Sequence, residues 1–117
     1  MGELVGIARF RFHPGRVDEY KRLCAQAMDI VRAKEPGTLE YSIYLNEDES
    51  EAVVIERFAS SEALLEHGAN MSEISPAVLE TGIVEGELLG EPNEDLRAKL
   101  TGPEPELFLP WLSLKPR

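Results

Sequence analysis

The sequence predicts an α+β domain with the element order β-α-β-β-α-β. Three observations carry that expectation. Alternating apolar residues mark strands at both ends of the first 91 residues and in a central hairpin. Apolar residues spaced three and four apart mark helices between the strands. Turn signals such as "HPG", "EPG" and "EDES" separate the segments.

Residues 3–12, "ELVGIARFRF", read as the first strand. Leu4, Gly6, Ala8, Phe10 and Phe12 point one way, and Val5, Ile7, Arg9 and Arg11 the other. Residues 16–34 read as a helix with Val17, Tyr20, Cys24, Ala27, Met28 and Val31 in its apolar stripe, widened by Leu23 and Ile30. Asp18 and Glu19 in the first turn and Arg32 and Lys34 in the last suit the helix dipole. "EPG" at 35–37 ends this helix. A hairpin follows, with strands at 38–46 and 51–59. Residues 60–81 read as helix in two pieces, with Gly68 weakening the middle and Ser75-Pro76 opening the second piece as N-cap and first helical residue. Gly82 closes it, and 83–91 form the fourth strand.

This order is the split βαβ, ferredoxin-like pattern: one antiparallel sheet with two helices on one face. Val5, Ile7, Val53 and Ile55 fall on the other face, which a second copy of the chain would cover, so a homodimer is expected. Residues 1–91 are read as the domain and 92–117 as an extension. The extension holds a short helix capped by Asn93 and a Pro-rich apolar tail that needs a surface, on its own core or on a partner subunit.

The 117 residues suit one core, and 43% hydrophobic content excludes wholesale disorder. The net charge of −10 disfavours nucleic acid and anionic membrane as partners. No apolar run approaches the roughly 20 residues of a membrane span, and "MGELVGIARF" lacks the basic and apolar regions of a signal peptide. A cytoplasmic protein is expected. Cys24 stands alone, without disulfide or metal partner, and reads as a buried thiol. His13 and His67 fall on different elements without ligand spacing, so no metal is expected.

The stretch "EPGTLEYSIYLNEDESEAVVIERFASSEALLEH", with Pro36-Gly37, the charged hairpin Asn46 to Glu51, Phe58, and Ser61 to His67, resembles the antibiotic biosynthesis monooxygenase family. That family consists of dimeric α+β barrels, and the resemblance spans residues 3–91. It implies oxygenation of an aromatic quinol or polyketide-like small molecule by O₂, without metal, haem or flavin. The substrate anion itself would react with O₂, and the protein would bind the ring, help deprotonate a hydroxyl and stabilise the anion. Other branches cyclise polyketides or degrade haem. The chain departs from the actinorhodin-type pattern. Val54 and Phe58 stand where an Asn and a Trp are expected on the third strand, and Leu64 where a Tyr is expected in the next helix. The haem-degrading branch needs an Asn on the first strand, where this chain offers Gly6 and Ala8.

Strand alternation puts Glu56 on the interior face with Val54 and Phe58. A carboxylate there acts as a general base or lies in an ion pair with Arg57, Arg9 or Arg11. His67 reads as a proton carrier to a substrate oxygen or as a core-edge histidine bonded to a carbonyl or to Glu56. Asn70 shares its helix face, to orient His67, hold an oxyanion or cap the helix. Tyr41 reads as pocket wall, and Trp111 as a lid or as a plug in a groove of the partner. Catalysis is thus expected from His67 and Glu56, and substrate binding from Tyr41, Val54, Phe58, Asn70 and Trp111. The competing expectations are a polyketide cyclase or isomerase, and a non-catalytic small-molecule-binding dimer.

Overall fold

A computed structural model describes residues 2–114. Strands β1 (Leu4–Phe12), β2 (Thr38–Leu45), β3 (Glu51–Phe58) and β4 (Gly82–Leu89) form the central sheet. The helices are α1 (Val17–Lys34), α2 (Ser61–Asn70), α3 (Ser75–Leu79) and α4 (Glu94–Arg97). A fifth strand, β5 (Glu106–Phe108), completes a sheet of order β2-β3-β1-β4-β5. The first four strands are antiparallel neighbours, in the ferredoxin-like arrangement. β5 corrects the expectation of a purely antiparallel sheet, because it pairs parallel to β4, Leu107 opposite Leu88.

Pairing registers fix the two faces. Leu4 lies opposite Phe58, Gly6 opposite Glu56, Ala8 opposite Val54 and Phe10 opposite Ala52. These residues face the helices, and Leu4, Phe10, Ala52, Val54 and Phe58 are buried. Val5, Ile7, Val53 and Ile55 lie on the opposite face and are half-buried. On that face Tyr44, opposite Val53, is 59% exposed, and Ile83, opposite Arg11, is 54% exposed.

α1 buries Tyr20, Leu23, Ala27 and Val31 at helical spacing. α2 starts at Ser60, whose side chain accepts from the Ala63 N–H at 3.1 Å. The break in the helical region falls after Asn70, where Met71 and Ile74 turn inward and pack on Leu23, Ala27 and Val31. α3 then begins one residue earlier than expected: Ile74 occupies the cap position, Ser75 is the first helical residue, and no side chain makes a capping bond.

The extension folds back on its own chain. Asn93 accepts from the Leu96 N–H at 2.9 Å and caps α4, and its own N–H donates to Ser61 Oγ, also at 2.9 Å. Leu96 is buried with Leu4, Phe58 and Leu88, and Leu100 and Leu107 pack against that cluster. Beyond β5 the chain stays exposed through Leu109, Leu112 and Leu114, and Trp111 is 90% exposed.

Candidate active site

The site begins in the "EPGT" turn that ends α1. The Glu35 N–H donates to the Val31 carbonyl at 2.9 Å, the last bond of the helix, and Pro36 prevents its continuation. Gly37 lets α2 come close, because a Cβ there would stand 2.7 Å from the Ala63 Cβ. α2 is thereby lowered onto the turn, and His67 and Asn70, three residues apart, both meet Glu35.

Glu35 is 4% exposed and accepts three side-chain hydrogen bonds. Asn70 donates to Oε2 at 3.0 Å, Thr38 to Oε1 at 2.8 Å, and His67 Nδ1 lies 2.8 Å from Oε1. Burial alone would push this carboxyl up. The Asn70, Thr38 and His67 bonds together outweigh it and hold Glu35 below its ordinary value. Glu35 is therefore an anion, and Nδ1 of His67 carries a proton toward it. The opposite ring nitrogen, Nε2, lies 3.1 Å from Glu56 Oε2. One imidazole thus bridges two carboxylates. Burial favours its neutral form, but the bonds to Glu56 and Glu35 prevail and raise its pKa above the ordinary value. Tyr41 meets the imidazole edge-on at 5.6 Å between centroids, and Phe58 at 5.3 Å, so the ring is held on both sides.

Two cavities flank this bridge. An inner chamber of about 240 Å³ lies under α1 and α3, with Tyr20, Tyr41 and Val54 in its wall. An outer chamber of about 450 Å³ lies toward β4, between Phe58 and Leu64 on one side and Leu100 and Pro105 of the extension on the other. Ala8, Glu56, His67, Gly68 and Leu79 belong to both walls, so the acid–base pair stands where the chambers meet. Glu56 Oε1 lies over Gly6, where an added Cβ would come within 3.2 Å of it. The glycine leaves room for the carboxylate at the mouth of the outer chamber.

The expected residues are therefore distributed unevenly. Glu56, His67, Tyr41 and Val54 line the inner chamber, and Phe58 lines the outer one. Among the described residues Glu56 is not in an ion pair with arginine: Arg9 pairs with Glu87, and Arg57 with Glu3 and Glu40. Asn70 does not cap α2: it is the last residue of the helix, Met71 occupies the cap position, and the Asn70 amide donates to Glu35. Trp111 lines neither chamber of its own chain. Cys24 is half-buried and lines the inner chamber. Glu35 is the residue that sequence reasoning missed. The available signal was an acid at a helix C-terminus, where the dipole disfavours it. Among the described residues no three His, Cys, Asp or Glu side chains converge as metal ligands. The two carboxylates sit on opposite edges of the imidazole.

The opposed shifts define a pH window. Glu35 is held below its ordinary 4.5, so its contribution is present above that value and is lost as pH falls through the depressed one. His67 is held above its ordinary 6.5, so its contribution is present below that value and is lost as pH rises through the raised one. Melting temperature is expected to peak between about pH 4.5 and 6.5 and to decline on both sides. His67→Gln is expected to flatten the alkaline limb; a limb left unchanged in that variant would show that another group causes it.

The fold belongs to a defined class. The profile described as "Antibiotic biosynthesis monooxygenase" matches residues 4–72, and the chain belongs to that family. Among solved structures, MupZ from Pseudomonas fluorescens superposes with a TM-score of 0.79 at 20% identity, over 99% of this chain and 91% of that one. The superposition therefore includes the extension. Rv0793 from Mycobacterium tuberculosis gives 0.68 at 27% identity, over 79% and 97%. A mutant of SnoaB, a cofactor-independent oxygenase from Streptomyces nogalater, gives 0.65 at 19% identity, over 74% and 89%. No curated protein matches the chain. No described helix is long and apolar enough to cross a membrane.

Proposed function

We propose that this chain is a cofactor-independent monooxygenase acting on an aromatic, quinol-like small molecule. The observation that carries the reading is the His67 imidazole bridging Glu35 and Glu56 where two apolar chambers meet. Glu56 takes the proton of a substrate hydroxyl, while Glu35 fixes the imidazole that supports Glu56. The resulting ring anion supplies the electrons. A ring CH₂ conjugated to it becomes C=O, one atom of O₂ enters the substrate, and the other leaves as water. The apolar walls keep bulk water from the anion.

Oxygen-electrode assays on a panel of hydroquinones and anthrones test this. Uptake is expected with at least one compound, falling by about 10²-fold or more in Glu56→Gln. Uptake unchanged in that variant would remove Glu56 from the chemistry. One observation favours a second reading. Val54, Phe58 and Leu64 occupy positions where the actinorhodin-type pattern has Asn, Trp and Tyr, whereas an acid–base pair by itself suffices for proton transfer. Substrate isomerisation or ring closure without O₂ uptake would identify a cyclase or isomerase.

We further propose a homodimer joined through the sheet face that carries Val5, Ile7, Val53 and Ile55. The exposure of Tyr44 and Ile83 on that face supports this. The exposed segment 109–114, with Trp111, is assigned to the partner's surface.

A further inference from the structure

We propose that Tyr20 is a substrate-binding residue that donates a hydrogen bond to a carbonyl oxygen on the part of the substrate entering the inner chamber. The inference rests on the reading of Glu56 as the base for a substrate hydroxyl, and it adds a second anchor to that site.

Tyr20 is 1% exposed, yet its hydroxyl has no hydrogen-bond partner among the described residues. Buried hydroxyls in folded proteins are almost always paired. Tyr20 contributes to the wall of a cavity that also contains the Glu56–His67 pair, and its phenol lies near enough to Tyr41 and Glu56 to feel their charge. The Tyr20 ring is fixed by Phe10 at 5.0 Å and Phe12 at 4.7 Å between centroids, so the hydroxyl is pre-positioned. The Cys24 thiol is near enough to interact with the phenol, but a thiol is a weak partner that does not satisfy the hydroxyl as an oxygen acceptor would. Burial pushes the phenol well above its ordinary value, so the group stays protonated and donates at any physiological pH.

The rest of the wall is mainly apolar, including Ala27, Val54, Met71, Ile74 and Val78. A ligand that satisfies this chamber has a compact ring framework, a hydroxyl directed to Glu56 and an acceptor oxygen directed to Tyr20. That chemistry is a hydroxyaryl ketone. At about 240 Å³ the chamber is smaller than the roughly 300–1,000 Å³ of sites for drug-sized ligands. It accepts one or two fused rings, and any larger part of the molecule extends into the outer chamber.

Two redox-stable probes of equal framework isolate the second anchor: 5-hydroxy-1-tetralone, and 5,6,7,8-tetrahydro-1-naphthol, which lacks the ketone. Calorimetric titration of the full chain is expected to show the ketone bound about five- to tenfold more tightly. Tyr20→Phe should erase the preference while leaving the affinity for the plain phenol unchanged. Its melting temperature should stay the same or rise, because an unpartnered buried hydroxyl is removed. Equal binding of both probes by wild type, binding of neither, or a preference retained in Tyr20→Phe would overturn the proposal. So would a fall of several degrees in melting temperature, which would assign the hydroxyl to the fold. The comparison on wild type needs no variant, and none of these outcomes depends on O₂ consumption. A failure here is therefore separable from a failure of the oxygenase reading.

Discussion

Replacing His67 with alanine is expected to lower kcat by about 10²–10⁴ while moving KM by no more than a few-fold. The imidazole joins the two carboxylates that define the site. Without it Glu56 loses its partner at 3.1 Å and Glu35 loses one of its three donors. Steady-state kinetics on an accepted quinol check this. A loss confined to KM would show that His67 only shapes the pocket. The variant should also be less stable by roughly 2–4 kcal/mol, the scale for breaking a buried hydrogen-bonded pair.

Changes at Glu35 separate two roles that the sequence does not distinguish. Glu35→Ala leaves the Asn70 amide, the Thr38 hydroxyl and the His67 ring without their shared acceptor. A cost of about 3 kcal/mol is expected, which in a domain of this size lowers the melting temperature by on the order of 10–20 °C. Glu35→Gln preserves shape and should melt within a few degrees of wild type, yet lose about 10²–10³ in kcat. Its amide can accept from Thr38 or Asn70, but the NH₂ group can turn toward His67 Nδ1. The ring then gives up its Nδ1 proton and keeps only Nε2–H toward Glu56, so it is held neutral. Nitrogen NMR of His67 reads this directly, with protons on both ring nitrogens in wild type below its raised pKa and on Nε2 alone in the variant. Full activity in Glu35→Gln would show that the buried carboxylate serves the fold alone.

The contrast between Glu56 and Glu35 shows where sequence reasoning reaches its limit. Glu56 sits in an alternating strand, where the period of two assigns every side chain to a face. His67 and Asn70 fall on one helix face by their spacing of three. Glu35 lies in a turn, where no period applies, and its partners His67 and Asn70 come 32 and 35 residues later. "EPG" reads correctly as a helix stop, and that reading hides the carboxylate within it. Tyr20 shows a milder version of the same limit. Its place in the apolar stripe of the first helix was legible, but whether its oxygen finds a partner depends on the whole fold. The fifth strand was illegible for another reason. "ELF" at 106–108 is three residues directly after Pro105, and only the exposed edge of β4 makes it a strand.

The way the extension walls the outer chamber separates two duties along the chain. The groups proposed to move protons come from the span between Glu35 and His67. Much of the opposite wall, from Leu79 through Val84 and Leu88 to Leu100 and Pro105, comes from sequence that follows it. Changes in the later segment can alter which molecules fit without disturbing the imidazole and its carboxylates. The family profile ends at residue 72, before that segment begins. On the proposed reading, the proton-handling groups lie inside the matched domain, and the wall that selects the molecule lies in the chain that comes after it.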